Sequence, residues 1–233
     1  MTAVLAPGAT IGILGGGQLG RMLSLAASRL GLDCHIYNPE AGSPAARVSR
    51  YETIGAYDDL EAIKRFSGAC DVVTYEFENV PAETAAQASQ YAQLAPGARA
   101  LEVAQDRLTE KTFLRDKAGV SVVDFANVAT VFDAKRAGRR FGYPVILKTR
   151  RLGYDGKGQA KVDSEADMDA AFAQMKGAPV ILEAFAPFAR EVSIVAARNH
   201  NGDFAAYPLI ENEHRNHILH KSTAPAARDD GQA

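Results

Sequence analysis

Two glycine-rich stretches carry most of the chemical content of this sequence. In the first, Gly15, Gly17 and Gly20 form a G-x-G-x-x-G pattern between the apolar run Thr10–Leu14 and a helical pattern that begins near Gln18 and Leu19. At such a strand-to-helix turn the backbone approaches an anion closely, and free N–H groups at the positive end of the helix dipole hold a phosphate without any lysine. A dinucleotide enzyme would also place Asp or Glu at the end of the second strand for the ribose hydroxyls. Asn38 stands there instead. A phosphate-bearing substrate other than a dinucleotide fits the loop equally well, and a purely structural turn is the plain alternative.

The second stretch is the apolar run Val145–Lys148, which leads into Gly153, Tyr154, Asp155, Gly156, Lys157, Gly158 and Gln159. A lysine leaving an apolar strand places one positive charge on the inner phosphates of a nucleotide, while mobile glycines fold backbone N–H groups over the outer ones. Lys157 would then meet the transferred phosphoryl group. The P-loop pattern G-x-x-x-x-G-K-[ST] occurs nowhere in the chain, so the grip is of another kind.

Other ionisable residues read less sharply. Glu76 and Glu78 alternate along a strand end, so only one faces the same crevice as the first glycine loop; Glu76 is the preferred one. Its plain reading is a carboxylate at the N-terminus of the helix that follows Pro81. By residue type alone, Glu183 and Glu191 read as solvated strand-end carboxylates. His214, His217 and His220 recur every third residue near Glu211 and Glu213, a pattern that charge pairs explain better than a metal site does. Cys34 and Cys70 open apolar runs and read as buried free thiols.

The elements that position these residues follow from the spacing of apolar positions. Strands at Thr10–Leu14, Cys34–Tyr37 and Asp71–Tyr75 alternate with helices at Gln18–Leu30 and Leu60–Phe66, which is βαβαβ order. That order implies a parallel sheet covered by helices, with a ligand crevice at the carboxyl ends of its strands. Further on, strands Val122–Asn127, Val145–Lys148, Gln159–Val162 and Val180–Leu182 enclose helices at Asp133–Phe141 and through Met175, a small α+β unit. The segments Glu191–Ala197 and Phe204–Ile210 flank Asn201 and Gly202, which predicts a hairpin with a two-residue turn. No further strand or amphipathic helix follows Leu219, so this last part reads as unfinished.

Composition sets outer limits. The chain has 233 residues, 47% of them hydrophobic and 23% charged, enough for one large or two modest folded domains. A formal net charge of -2 offers no broad attraction to nucleic acid or to a membrane surface. The first ten residues lack the basic start of a secretory signal, and no apolar run is long enough to span a bilayer. A cytoplasmic enzyme is the expectation.

The second glycine stretch, preceded by the segment 105–111, resembles the ATP-grasp ligases. Within them, the segments 15–22, 75–80, 148–159 and 208–212 together resemble the 5-(carboxyamino)imidazole ribonucleotide synthase family of purine biosynthesis. The resemblance runs from about Thr10 to Pro225. It implies an α/β fold with three parts: a parallel pre-ATP-grasp domain over 1–98, a lid over 99–187, and an incomplete antiparallel unit over 188–233. It also implies that ATP and bicarbonate carboxylate the amine of 5-aminoimidazole ribonucleotide through carboxyphosphate. By position, Arg107 and Lys148 hold the ATP phosphates and 153–159 covers them. The backbone of Glu183, Ala184, Phe185 and Ala186 meets adenine, Glu191 meets the ribose, and His214 is a further ATP-site residue. Gly15, Gly17, Gln18, Leu19 and Glu76 hold the ribonucleotide, whose amine Tyr154 faces. Magnesium is the implied metal, with its ligands expected beyond residue 233, so that these residues alone are expected to turn over nothing. A homodimer is the implied assembly.

Overall fold

A computed structural model describes residues 4–153, 157–199, 201–216 and 218–227. The chain forms two compact units, Ala3–Phe113 and Leu114–Ala233.

The first unit contains β1 (Thr10–Leu14), α1 (Gln18–Ser28), β2 (Asp33–Asn38), β3 (Tyr51–Ile54), α2 (Leu60–Gly68), β4 (Val72–Tyr75), α3 (Ala82–Ala88), β5 (Gln93–Leu94), α4 (Ala98–Ala104) and the start of α5 (Arg107–Asp116). The strands pair in parallel in the order β3-β2-β1-β4-β5. Both faces of this sheet are apolar because strand side chains alternate. Ile13, Cys34 and Ile36 pack with Ala27 of α1 on one face. Leu14, Tyr37 and Val73 pack with Ile63 and Phe66 of α2 on the other. Asp59 starts α2 by accepting a hydrogen bond from the Ala62 N–H at 2.9 Å.

Within the first unit, two strands escaped the sequence reading. All but one residue of β3 are exposed, so no apolar alternation marks it, and β5 is two residues long. The unit also extends past the expected boundary at 98/99. Leu101 of α4 lies fully buried in the core beside Val80, and the Gln105 side chain donates to the Val80 carbonyl. Those contacts tie α4 to the first unit, and the division falls inside α5, between Phe113 and Leu114.

The second unit continues with β6 (Phe125–Val128), α6 (Val131–Phe141), β7 (Val145–Thr149), β8 (Gln159–Val162), α7 (Met168–Gln174) and β9 (Val180–Ala184). Its four strands are antiparallel, in the order β6-β9-β7-β8. Val145, Leu147, Val180 and Leu182 face α6 and α7, meeting Ala134, Ala137, Met168 and Ala171. The alternate residues Ile146, Lys148, Ile181 and Glu183 therefore lie on the opposite face. Thr130 caps α6 through the Asp133 N–H, and Gly142, at φ 81°, ends it.

The remaining strands are β10 (Glu191–Ser193), β11 (Ala196–Arg198), β12 (Phe204–Ala206), β13 (Ile210–Arg215) and β14 (Ile218–Thr223). They form a three-stranded sheet, β10-β13-β14, and a separate β11-β12 pair, and the expectation of no strand past Leu219 is corrected because β14 runs on to Thr223 in register with β13. Every residue of β10, β11, β12 and β14 is exposed. The expected two-residue turn at Asn201 and Gly202 is not what forms. The β11-β12 ladder ends at Arg198 and Phe204, and the Asn199 side chain closes a longer loop by accepting from the N–H groups of Asn201 and Asp203. A short polar side chain that bonds its own backbone outcompetes the tight turn. Between β13 and β14 the register shifts at Glu213/His214: Glu213 faces Lys221 and His214 faces Leu219, so His220 is an extra residue in the ladder.

Candidate functional site

The glycine loop follows β1 at the point where neighbouring strands diverge, with β2 on one side and β4 on the other. Because β1 and β4 run in parallel and end together at Leu14 and Tyr75, the next residue of β4, Glu76, emerges beside Gly15. Its carboxylate turns into the loop. Oε1 accepts from the Gly17 N–H at 2.5 Å, and Oε2 accepts from the Gly20 N–H. Helix α1 has no side-chain cap of its own, so Glu76 completes its first turn from 59 residues away.

This arrangement explains the three glycines. A Cβ on Gly15 would lie 2.5 Å from Glu76 Cγ, one on Gly17 would lie 2.7 Å from Oε1, and one on Gly20 would lie 3.0 Å from Oε2. Gly15 also has φ +114°, which disfavours any other residue. The expectation that these N–H groups are free for a phosphate is therefore corrected at Gly17 and Gly20. The helix-terminal reading of Glu76 holds in kind, but the helix is α1 and not the one after Pro81. Glu78 is exposed, and its carboxylate accepts from the Asn79 side chain. Gln18 and Leu19, also expected at the substrate, are exposed at the start of α1. Burial and the nearby Glu76 charge push the Tyr57 hydroxyl up to about 12.

In the second unit, Lys148 leaves β7 with its side chain 24% exposed. Its Nζ lies 2.8 Å from Glu183 Oε2, and the Glu183 side chain is 5% exposed. The register makes this contact: Lys148 faces Ile181 across the β7-β9 ladder, so Glu183 is its diagonal neighbour on the same face. The reading of Glu183 as a solvated strand-end carboxylate is thus overturned, because β9 is a central strand. Beyond it, Phe185 receives the Lys161 ammonium over its ring at 5.5 Å, and the Ala186 carbonyl accepts from the Phe188 N–H. The Ala184 N–H donates to the Asp124 carbonyl. The glycine stretch re-enters the sheet at Gly158, whose carbonyl accepts from the Thr149 N–H at 2.8 Å. At φ +68°, with Thr149 Oγ1 only 2.5 Å from where a Cβ would stand, this position requires glycine. Gly153, Lys157 and Gln159 flank the stretch; Tyr154, Asp155, Gly156 and also His217 lie outside the described residues.

Glu191 and His214 come together as diagonal neighbours on β10 and β13, with Nδ1 3.2 Å from Oε2. Asn212 links three strands, donating to Ser193 Oγ at 2.8 Å and accepting from Ser222 at 2.9 Å. Arg215 beside Glu213 holds that carboxyl below its ordinary value. Arg107 opens α5 in the first unit, where Asp106 caps the helix through the N–H groups of Leu108 and Thr109. Among the described residues, no group of three or more His, Cys, Asp and Glu side chains is placed to hold a metal ion, and no helix is long and apolar enough to cross a membrane.

Two family profiles match the chain: a ribonucleotide synthetase preATP-grasp domain over residues 8–105 and an ATP-grasp domain over 113–233. The chain is 48% identical over 225 residues to the N5-carboxyaminoimidazole ribonucleotide synthase of Brucella melitensis, covering 96% of this chain and 62% of that protein. It resembles the crystal structure of an N5-carboxyaminoimidazole ribonucleotide synthetase in complex with ADP, with TM-score 0.92, 42% identity, and coverage of 99% of this chain and 61% of that one. The Aspergillus clavatus synthase, solved with ADP and 5-aminoimidazole ribonucleotide, gives TM-score 0.86 at 28% identity, covering 97% and 59%. The chain thus spans less than two thirds of each of these relatives.

Proposed function

The chain belongs to the ATP-grasp family, and on that premise we propose that it serves an ATP- and bicarbonate-dependent ligase that carboxylates the amine of 5-aminoimidazole ribonucleotide. The products are 5-(carboxyamino)imidazole ribonucleotide, ADP and phosphate. The observation that carries this reading is Lys148: a half-buried ammonium at the end of a sheet strand, continuing into a glycine stretch that re-enters the sheet through Gly158.

Bicarbonate is a poor electrophile, and transfer of the terminal phosphoryl group of ATP to it gives carboxyphosphate, a carbon centre the amine can capture. The chain's own contribution is positioning and charge neutralisation. Lys148 holds the inner phosphates, Gly153 and 154–159 close over the outer ones, and Lys157 meets the transferred group. The backbone of 183–186 receives adenine. Glu191, oriented by His214, accepts from the ribose hydroxyls. Arg107 is assigned to the phosphates by resemblance alone. In the first unit, Gly15, Gly17, Gln18, Leu19 and Glu76 receive the ribonucleotide. With Gly17 and Gly20 committed to Glu76, that carboxylate offers acceptors to the ribonucleotide, and its phosphate is received elsewhere than on those two N–H groups. Tyr154 faces the amine. Magnesium accompanies ATP in this reading, and no step is routed through it. A cytoplasmic homodimer completes the proposal.

The test is ADP release by a protein of the relatives' length that carries these residues, with each substrate omitted in turn. Release should require bicarbonate and rise sharply with 5-aminoimidazole ribonucleotide. Equal stimulation by glycinamide ribonucleotide would assign the chain to a sister ligase.

A further inference from the structure

Lys148 cannot aim itself. Its ammonium sits on four rotatable carbons, and confining such a side chain costs rotamer entropy. Something must hold the charge where phosphates arrive, and among the described residues the Glu183 side chain does so.

Several features fit that task. Glu183 stands on β9, a central strand flanked by β6 and β7, so its backbone is fixed by ladders on both sides. Its side chain is 5% exposed while that of Lys148 is 24% exposed, so the carboxylate is the rigid member of the pair and the ammonium is the one that reaches solvent. An ammonium has three donors, and the contact at 2.8 Å leaves others for a ligand. The opposite face of the same sheet is filled by Val145, Leu147, Val180 and Leu182 against helices, so a carboxylate on this face has no packing reason to be there.

We infer that the Glu183 side chain is a positioning residue: it aims Lys148 at the inner phosphates of the bound nucleotide, a role separate from any backbone contact of the 183–186 segment with adenine. This inference rests on the nucleotide-binding reading given above. It differs from a simple stabilising ion pair in its signature, because aiming one ammonium matters only for ligands that carry phosphate.

Calorimetric titration of the protein with ADP and, separately, with adenosine tests it. Glu183→Gln, which keeps size and hydrogen bonding but removes the charge, should weaken ADP by about tenfold and leave adenosine unchanged. Glu183→Asp keeps the charge one methylene short of Lys148 and should fall between. Glu165→Gln removes a carboxylate paired with Arg139 in the same unit and should change neither ligand. Equal weakening of ADP and adenosine by Glu183→Gln would overturn the inference in favour of a structural role. Unchanged ADP affinity would overturn it directly. Tighter ADP binding would also overturn it, by showing that Glu183 competes with phosphate for Lys148. Absence of ADP binding by the unaltered protein would instead overturn the nucleotide-binding reading itself.

Discussion

Each unit of this protein holds a carboxylate against donors suited to phosphate, but the donors differ. In the first unit Glu76 takes two backbone N–H groups at the start of α1. In the second, Glu183 takes the side-chain ammonium of Lys148. Backbone donors cannot turn away, so the Glu76 contact is part of the fold, and its loss leaves helix N–H groups without their acceptor. An ammonium on a flexible stem can swing to water, so the Glu183 contact is exchangeable and suits a group that must meet a ligand. The same chemical pairing thus serves as a rivet in one place and as a guide in the other.

The largest expected effect strikes the rivet. Gly15→Ala forces a side chain at φ +114° into Glu76 Cγ and should cost about 3 kcal/mol, from a disfavoured backbone plus overpacking. Urea unfolding followed in the first unit measures it; an unchanged midpoint would show that the loop does not need the close approach. Glu76→Gln should come next, at about 2 kcal/mol, since charge-assisted bonds to two N–H groups become neutral ones. Glu183→Gln should destabilise less than that, and an equal or greater loss would break the comparison. Lys148→Ala should weaken ATP by about 2 kcal/mol, read by titration. ATP affinity that survives this change would remove the lysine from the phosphate grip.

A smaller effect separates the two units by pH. His35 lies against Phe66 with Nε2 2.8 Å from Thr53 Oγ1, and burial holds its pKa below the ordinary 6.5. The unfolded chain therefore takes up the proton first. The stability His35 contributes is present above pH 6.5 and is lost as pH falls through 6.5 towards its folded value. The first unit should melt lower at pH 5.5 than at pH 7.5, with His35→Gln flattening the difference. A melting point that rises on acidification would show that His35 gains, not loses, stability on protonation.

The comparison also shows what a sequence can and cannot display. Lys148 was legible because its surroundings are local: an apolar strand on one side and glycines on the other. The strands Thr10–Leu14 and Gln159–Val162 were legible for the same reason. Glu183 was not, because only the register of β7 against β9 brings it to Lys148, and strand-end position in the sequence says nothing about being central in a sheet. The partner of the first glycine loop was hidden in the same way. Glu76 reaches it through the pairing of β1 with β4, and the glycines give no sign that they make room for the protein's own carboxylate. The Asn201-Gly202 signal misled because Asn199, two residues earlier, offered the backbone a competing partner.

The extra residue at His220 makes this part of the chain unusually tolerant of one change in length. A strand alternates faces with each residue, so losing a residue ordinarily turns everything beyond it inside out. Here Glu213 already faces Lys221 and His214 already faces Leu219, although on an unbroken strand Leu219 and Lys221 would share a side. Removing codon 220 would let Leu219 and Lys221 follow one another directly, with every pairing on both sides kept. Removal of any paired neighbour would shift the frame of the ladder instead. Between homologous genes, a one-residue gap in β14 is therefore expected at this codon before any other in the strand.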